Sequence, residues 1–411
     1  MYLSISKRFE FSSSHRLWAS GLSDEENLRL YGREAESRHG HGHNFVAYFV
    51  FHGPVDDATG MMINIVSIKD KLKPLIDGRY DHKYLNVDTP PFDSVVPTPE
   101  NMAGRLLTEA RPLFDRETAR PVACHLNESS ASEATAYADG RVERHLWTDF
   151  SAARRTYSPH LTDSENRDLF GVASSPSGHG HHYRLRVTLG GEVDDKYGMI
   201  VPETEGRMVL DELRSQLDHR NLNTDVPDLA GKPMTTEWLC RYIFRRIRPR
   251  LPVTRVKLYE HQNFFVEYSG DTGFEVGVLS KFHAAHRLHS PVLSDADNEC
   301  LYGKCHNLRG HGHLYVVEAT LRGDLDEKTG TVYNLENLTG HLDAALAPYN
   351  YRHLDIDTDD FRERPSTGEN IVASLWSRLE QAGDVTLSRV RLWETPNNRF
   401  TLRRDIESGE S

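Results

Sequence analysis

Residues 301–315 have the sequence LYGKCHNLRGHGHLY, which contains a His-Gly-His tripeptide near its end. The same tripeptide occurs at 41–43, 179–181 and 311–313, so its copies are 138 and 132 residues apart. A period of that length is typical of a whole domain, because solenoid units span only about 20–50 residues. The stretch therefore marks one copy of a repeated domain.

Other segments recur in the same order around each tripeptide. Upstream of it lie FSSSH at 11–15, FSAAR at 150–154 and FHAAH at 282–286. Downstream lie YDHKYLNVD at 80–88, LDHRNLNTD at 217–225 and NYRHLDID at 350–357. Each copy closes on a segment with a glutamate: HLNES at 125–129, LYEHQ at 258–262 and LWETP at 392–396. This order predicts three tandem domains at residues 1–142, 143–271 and 272–411, called repeats 1, 2 and 3.

The composition excludes several classes of protein. The 411 residues carry a formal net charge of −12, which argues against nucleic acid or an anionic membrane as the main partner. No run of 18 apolar residues could form a transmembrane helix, and the N-terminus lacks the apolar segment of a secretory signal. Four cysteines at this length do not indicate a disulfide framework, so a cytoplasmic location is expected.

Within one copy, the residue pattern predicts an α+β unit with the order β-β-α-α-β-β. Residues 183–189 alternate apolar and polar side chains, as a half-buried antiparallel strand does. The Asp-Asp segment at 194–198 is predicted to form a hairpin turn, and an amphipathic helix is expected from Glu205 to Leu217. A second helix is expected to open at 98–100, 235–237 and 366–369, where Thr or Ser suits an N-cap.

Histidines in two of the three repeats have the spacing of a metal site. Two residues at i and i+2 of a strand face the same way, and a third histidine from a neighbouring strand can complete the set. Three histidines with an open fourth position are typical of a catalytic zinc site. The expected ligands are His286, His311 and His313 in repeat 3 and His15, His41 and His43 in repeat 1. Repeat 2 has Arg154 in the first position, so no metal is expected there.

On these motifs, repeat 3 resembles 6-pyruvoyltetrahydropterin synthase, and repeats 1 and 2 resemble degenerate relatives of that family. The resemblance implies the T-fold, in which three units close a β-barrel and two barrels stack into a hexamer. One chain would then form a pseudo-trimeric β-barrel, and a homodimer would form a pseudo-hexamer. Zn²⁺ and the substrate 7,8-dihydroneopterin triphosphate are also implied. The residues expected to bind the substrate are Glu394, Glu369, Thr367, Glu128, Glu100 and Thr98.

The resemblance further implies a catalytic cysteine on one unit and an Asp-His pair on another. Cys305 lies six residues before His311 and is expected to act as a base, because a thiol near a dication loses its proton readily. Repeat 3 has Asn350 and Tyr351 in place of the pair. The intact pairs lie in repeats 1 and 2: Asp81, His82, Asp218 and His219.

No repeat carries a complete set, so a site shared between repeats is expected. If each metal site faces the Asp-His pair of the next repeat, and repeat 3 faces repeat 1, then Cys305 works with Asp81 and His82. The repeat 2 site would then have lost its ligand, its cysteine and its pair together. The opposite direction also completes one site, between repeats 3 and 2, but leaves the other two partly intact. The first direction is the simpler pattern of loss.

Two alternatives to this function remain. One is 6-carboxytetrahydropterin synthase, which shares the fold, zinc and substrate but forms another product; the five residues between Cys305 and His311, rather than three, favour the pyruvoyl product. The other is a non-catalytic pterin-binding protein. Repeat 1 has no cysteine, and Glu36 lies at the position where some relatives that cleave the pterin side chain carry a glutamate, five residues before His41.

Overall fold

The computed structural model describes residues 2–382 and 386–404. Repeat 1 contains the strands β1 (Tyr2–His15), β2 (His41–Pro54), β3 (Lys83–Tyr84), β4 (Arg120–Asn127) and β5 (Ser132–Tyr137). Repeat 2 contains β6 (Val142–Arg154), β7 (His179–Gly190), β8 (Arg220–Asn221), β9 (Val253–His261) and β10 (Phe264–Ser269). Repeat 3 contains β11 (Gly273–His286), β12 (His311–Gly323), β13 (Arg352–His353), β14 (Leu387–Thr395) and β15 (Asn398–Arg403).

Twelve of these strands close one antiparallel barrel. Their order is β10-β9-β7-β6-β5-β4-β2-β1-β15-β14-β12-β11, and β10 pairs with β11 to complete the ring. Neighbouring repeats join where β5 pairs with β6, β10 with β11, and β15 with β1. The predicted α+β architecture, with three tandem T-fold units closing one barrel within a single chain, is confirmed.

The helices cover one face of this sheet. They are α1 (Asp24–Tyr31), α2 (Arg33–Glu36), α3 (Ile65–Arg79), α4 (Leu85–Asp88) and α5 (Pro99–Ala110) in repeat 1; α6 (Asp163–Phe170), α7 (Glu203–Leu217) and α8 (Thr236–Ile247) in repeat 2; and α9 (Asp295–Tyr302), α10 (Leu335–Leu346), α11 (Leu354–Asp357) and α12 (Gly368–Gln381) in repeat 3. Alternate strand residues such as Phe45 and Phe49 are fully buried in one core with helix residues such as Leu72 and Leu106. Within the described residues, no helix is long and apolar enough to cross a bilayer.

The opposite face of the sheet lines the barrel interior and is polar. His125 on β4 senses the charges of Arg186 from repeat 2 and of Arg391 and Arg399 from repeat 3. Residues of three repeats can meet in this way only across the inside of the ring. Burial, followed by these positive charges, lowers the pKa of His125 to about 3, so its ring is neutral at pH 7.

Threonines cap the second long helix of every repeat, as the sequence predicts. The hydroxyl oxygens of Thr98, Thr235 and Thr367 accept the backbone N–H three residues further on. Such a cap stabilises a helix by about 1 kcal/mol. Because α5, α8 and α12 begin at equivalent points, the glutamates in their first turns occupy equivalent places in the three repeats.

Two local predictions are wrong. The Asp-Asp segment at 194–198 is a tight turn between β7 and α7 rather than a hairpin turn between strands: Gly198, at a φ of 73°, donates its N–H to the carbonyl oxygen of Asp194 at 2.7 Å, and the chain continues into a helix. The predicted order has no helix between the first two strands of each repeat, but the structure has α1, α6 and α9 there. Ser23, Thr162 and Ser294 cap these short helices.

Candidate active sites

The three candidate ligands of repeat 3 lie together at one end of the barrel. His286 is the last residue of β11 and His311 the first of β12, and the two are paired directly across the antiparallel ladder. His313 lies on the same face of β12 as His311 because side chains alternate along a strand. Possible ligand atoms of these three rings lie within 4.8 Å of one another.

The hydrogen bonds of these histidines suit a bound cation. Nδ1 of His286 donates to the carbonyl oxygen of Ser366 at 2.9 Å, so its Nε2 carries the lone pair. That Nε2 lies 3.1 Å from Nε2 of His311, and the buried Nε2 of His313 has no hydrogen-bond partner. Burial lowers the pKa of His286 to about 4, which keeps the ring in the neutral form that binds metals. The donor set therefore fits a divalent metal ion.

Repeat 1 has the same arrangement with one more donor. Nδ1 of His15 donates to the carbonyl oxygen of Pro97 at 3.0 Å, and its Nε2 faces the two histidines of β2. Among the described residues, the buried Nε2 atoms of His15 and His43 have no hydrogen-bond partner, and Nε2 of His41 contacts the Glu34 carboxylate. Glu34, which the sequence interpretation did not select, joins them with its carboxylate against the His41 ring, and the four donors lie within 4.8 Å of one another.

Repeat 2 has an arginine in the metal position. Arg154 ends β6 as His15 ends β1 and His286 ends β11. Its guanidinium donates to Glu260 at 2.6 Å and to the hydroxyl of Thr236 at 3.0 Å, and it is only 3% exposed. Because a permanent cation already occupies this position, a divalent metal ion would meet electrostatic repulsion there.

Two carboxylates lie beside the candidate ligands of repeat 3. Glu369 is buried at the start of α12, and its Oε1 accepts the backbone N–H of Met62 at 3.0 Å. Thr367 donates to the carbonyl oxygen of Gly60 at 2.6 Å. Glu394 lies 3.8 Å from Nε2 of His286. Since Gly60 and Met62 belong to repeat 1, the candidate substrate-binding residues of repeat 3 contact repeat 1.

The corresponding residues of repeat 1 contact repeat 2 and have different charged neighbours. Thr98 donates to the carbonyl oxygen of Gly198 at 2.5 Å. Glu100 is bound by Arg144 at 3.2 Å, and Arg144 also binds Glu203 at 2.7 Å. Glu128, which directly follows β4, lies 3.5 Å from Nε2 of His15. Arg144 has no counterpart in the repeated motifs, so the sequence comparison gave no signal for it.

Cys305, Glu34 and Ala173 occupy the same backbone position. Each lies two residues after a helix-ending glycine with positive φ, at Gly303, Gly32 and Gly171. In each repeat the carbonyl oxygen at this position also accepts an N–H from the residue two positions after the first strand, for Cys305 at 2.9 Å and for Glu34 at 3.3 Å. In repeat 1 the aligned residue is therefore Glu34, whereas Glu36 is exposed; the extra residue in that loop lies after the aligned position.

The Asp-His pairs lie at the open edge of the first strands. Asp81 accepts the N–H of Ser12 at 2.9 Å and lies 2.8 Å from Nδ1 of His82. Asp218 and His219 repeat these contacts on β6. Among residues 2–382 and 386–404, neither pair has a hydrogen bond or ion pair with Cys305.

The edge that carries each pair shows which repeat it faces. β2 occupies one edge of β1 along its whole length, so β3, which follows Asp81 and His82, pairs with the other edge. That second edge is the one that β15 of repeat 3 uses at Ser4–Lys7. Asp81 and His82 therefore lie on the side of β1 towards repeat 3. By the same geometry, Asp218 and His219 face repeat 1.

Comparison with known proteins finds one family that matches all three repeats. The family described as 6-pyruvoyl tetrahydropterin synthase matches residues 4–139, 145–271 and 275–405. The 6-pyruvoyl tetrahydrobiopterin synthase of Drosophila melanogaster is 42% identical over 125 residues, 30% of this chain and 74% of that protein. The Homo sapiens protein of the same name is 41% identical over 119 residues, 28% of this chain and 82% of its own. The solved structure of 6-pyruvoyl tetrahydropterin synthase from Caenorhabditis elegans, at 39% identity, aligns 94% of its length with 31% of this chain, with a TM-score of 0.31.

Proposed function

The chain belongs to the 6-pyruvoyl tetrahydropterin synthase family, and from that premise we propose that it is a zinc-dependent lyase. Its substrate would be 7,8-dihydroneopterin triphosphate, and its products 6-pyruvoyltetrahydropterin and triphosphate. The observation that supports this most directly is in repeat 3, where possible ligand atoms of three histidines lie within 4.8 Å of one another, Glu394 lies 3.8 Å from His286, and the Glu394 charge acts on Cys305. One active site per chain would be complete.

The two carboxylates suit the pterin ring. A pterin presents several N–H groups along one edge, and carboxylate oxygens accept such bonds strongly. Glu394 would bind that edge beside the metal. Burial raises the pKa of Glu369 to about 7, so this group can be neutral and both donate and accept hydrogen bonds. Thr367 fixes the start of α12 against repeat 1 and so positions Glu369.

Proton transfer would be shared between two repeats. Bound zinc would act as a Lewis acid towards the side-chain hydroxyls of the substrate and make the adjoining C–H acidic. Cys305 would accept that proton as the base. In the metal-free chain, burial and then Glu394 raise the pKa of the Cys305 thiol, so a nearby dication is needed to favour the thiolate. His82, oriented by Asp81, would carry the complementary proton.

The direction of sharing has support in the barrel geometry. Glu369 of repeat 3 accepts the N–H of Met62 in repeat 1, and Asp81 and His82 lie on the side of β1 towards repeat 3. Asn350 and Tyr351 occupy the matching place beside repeat 2. One site would thus combine Cys305 with Asp81 and His82, and the repeat 2 site would lack ligand, cysteine and pair together.

Product analysis would test this function. Purified protein loaded with zinc would be incubated with 7,8-dihydroneopterin triphosphate, and the pterin products and released triphosphate would be separated and identified by mass spectrometry. We expect the 6-pyruvoyl product with one triphosphate per turnover, and its loss in Cys305→Ala. Formation of the 6-carboxy product would instead identify the chain as a 6-carboxytetrahydropterin synthase. Substrate binding without turnover would indicate the non-catalytic pterin-binding alternative.

A further inference from the structure

We propose that Glu34 is a fourth protein ligand of the metal in repeat 1, so that this site is closed and structural while the site of repeat 3 stays open for substrate. The proposal rests on the metal binding in the proposed function and adds a division of roles between the two sites. Zinc sites with four protein ligands are typically structural, and those with three keep a position for water or substrate. The number of protein donors therefore distinguishes the two sites.

The donor sets of the two repeats differ in this number. In repeat 1, ligand atoms of Glu34 and three histidines lie within 4.8 Å of one another, and the Glu34 carboxylate contacts the His41 ring. In repeat 3 the corresponding group contains the three histidines, and Cys305 is not part of it. Within residues 2–382 and 386–404, this group of histidines thus has a fourth protein donor in repeat 1 and none in repeat 3.

Side-chain length explains the difference. Glu34 and Cys305 leave equivalent backbone positions, two residues after Gly32 and Gly303. A glutamate places its carboxylate two bonds further from Cα than a cysteine places its sulfur. From the same backbone position, the Glu34 carboxylate therefore joins the histidines, whereas the shorter Cys305 side chain does not belong to the group. Replacing the thiol by this longer acid fills the coordination position that a substrate would use.

The ion pair between Glu100 and Arg144 independently supports a structural role for the site of repeat 1. In repeat 1, Glu100 is already paired with the buried Arg144, which also binds Glu203. At the positions that match Arg144 and Glu203 one repeat earlier, the chain has apolar residues, Ile5 on β1 and Ile65 at the start of α3. A carboxylate held in a buried ion pair is costly to redirect to a ligand. Glu100 in repeat 1 is thus already neutralised by Arg144 and is less available to bind a substrate.

Cobalt can serve as a probe of both sites. Co²⁺ would replace zinc, and azide would be added while the visible absorption is recorded. His313→Ala leaves only the repeat 1 site intact, and His43→Ala only the repeat 3 site. We expect azide to shift the spectrum of the His43→Ala protein and to leave that of His313→Ala unchanged.

Glu34 itself is tested in the His313→Ala background. Adding Glu34→Gln should open the site, so that azide now shifts the spectrum. Co²⁺ affinity should fall by at least ~10–100-fold, the loss typical even of partners outside the coordination sphere. The matched control is Glu36→Gln, two residues away and exposed, which should change neither property.

Three results would overturn the proposal. The first is a spectral shift on adding azide to the His313→Ala single variant. The second is a Co²⁺ affinity that Glu34→Gln leaves unchanged. The third is substrate turnover by Cys305→Ala that is abolished when Glu34→Gln is added, which would make Glu34 a base at an open site. Absence of metal from both histidine variants would instead contradict the metal binding of the proposed function.

Discussion

Arg154 occupies the position of a candidate metal ligand and carries a permanent positive charge there. It lies at the position that His15 and His286 have in the other repeats. Its guanidinium donates to the carboxylate of Glu260 on β9. Although burial alone would raise the pKa of Glu260, the charge of Arg154 lowers it well below its ordinary value. Repeat 2 therefore has an internal ion pair at the place where its neighbours have candidate metal ligands.

Exchanging this one residue should restore a metal site. We expect two metal ions per wild-type chain and three in Arg154→His, because His179, His181 and Glu260 already lie within 4.8 Å of one another. Metal content after dialysis would be measured by mass spectrometry. The control is Arg155→His, which should keep two. Three ions in the wild-type chain, or only two in Arg154→His, would contradict this assignment.

At the scale of strands and helices, the repeated motifs predicted most of what the structure has. The repeat order, the threonine caps of α5, α8 and α12 and the grouping of the histidines follow from spacing, because strand and helix periods place side chains in known directions. Glu34 could not be chosen over Glu36, since a one-residue insertion changes the count but not the backbone position. Arg144 was missed because it pairs with Glu100 only through contacts between repeats.

The sheet also carries a charge network that should make the barrel sensitive to acid. Although burial would raise it, the charges of Lys257, Arg255 and Arg186 lower the pKa of Glu267 to about 2. A carboxylate with a lowered pKa stabilises the fold above its unfolded pKa, and this contribution is lost as the pH falls through the folded value. The loss should therefore occur between about pH 5 and pH 2.

Glu267→Gln tests this network. Removing one partner of this largely buried ion pair leaves uncompensated charges, so the free energy of unfolding at pH 7 should fall by about 3–5 kcal/mol. The difference from wild type should shrink as the pH approaches 2. Urea unfolding at a series of pH values measures both effects. Glu10→Gln, in an exposed pair with Arg8, should have little effect. A constant difference at all pH values would be inconsistent with titration of Glu267.

For the whole molecule, we expect two chains to stack. His82, His219 and Tyr351 occupy equivalent positions at one end of the barrel, and 84%, 84% and 78% of these groups are exposed. Two barrels stacked end to end would cover this rim. Light scattering should therefore give a mass twice the 46.9 kDa of one chain. A stable species at the mass of one chain would contradict the stacking.

Closure of the barrel also decides which residues share an active site. If Cys305 works with the pair on the repeat 3 side of β1, His82→Ala should reduce formation of the pyruvoyl product about as severely as Cys305→Ala, by ~100-fold or more. Combining the two should cost little beyond either alone, because residues that act as a unit are not additive. His219→Ala removes the same motif one repeat away and should leave the activity nearly intact.

Steady-state kinetics of the four variants would be compared at equal metal content, so that loss of metal cannot imitate loss of catalysis. If His219→Ala abolished turnover and His82→Ala spared it, repeat 3 would work with repeat 2 and the direction around the barrel would be reversed. If neither histidine mattered while Cys305 did, the site would not be shared in this way. The comparison is informative because three copies in one chain provide the same motif in the tested and the control position. In a symmetric assembly of identical units, every substitution would alter all sites at once.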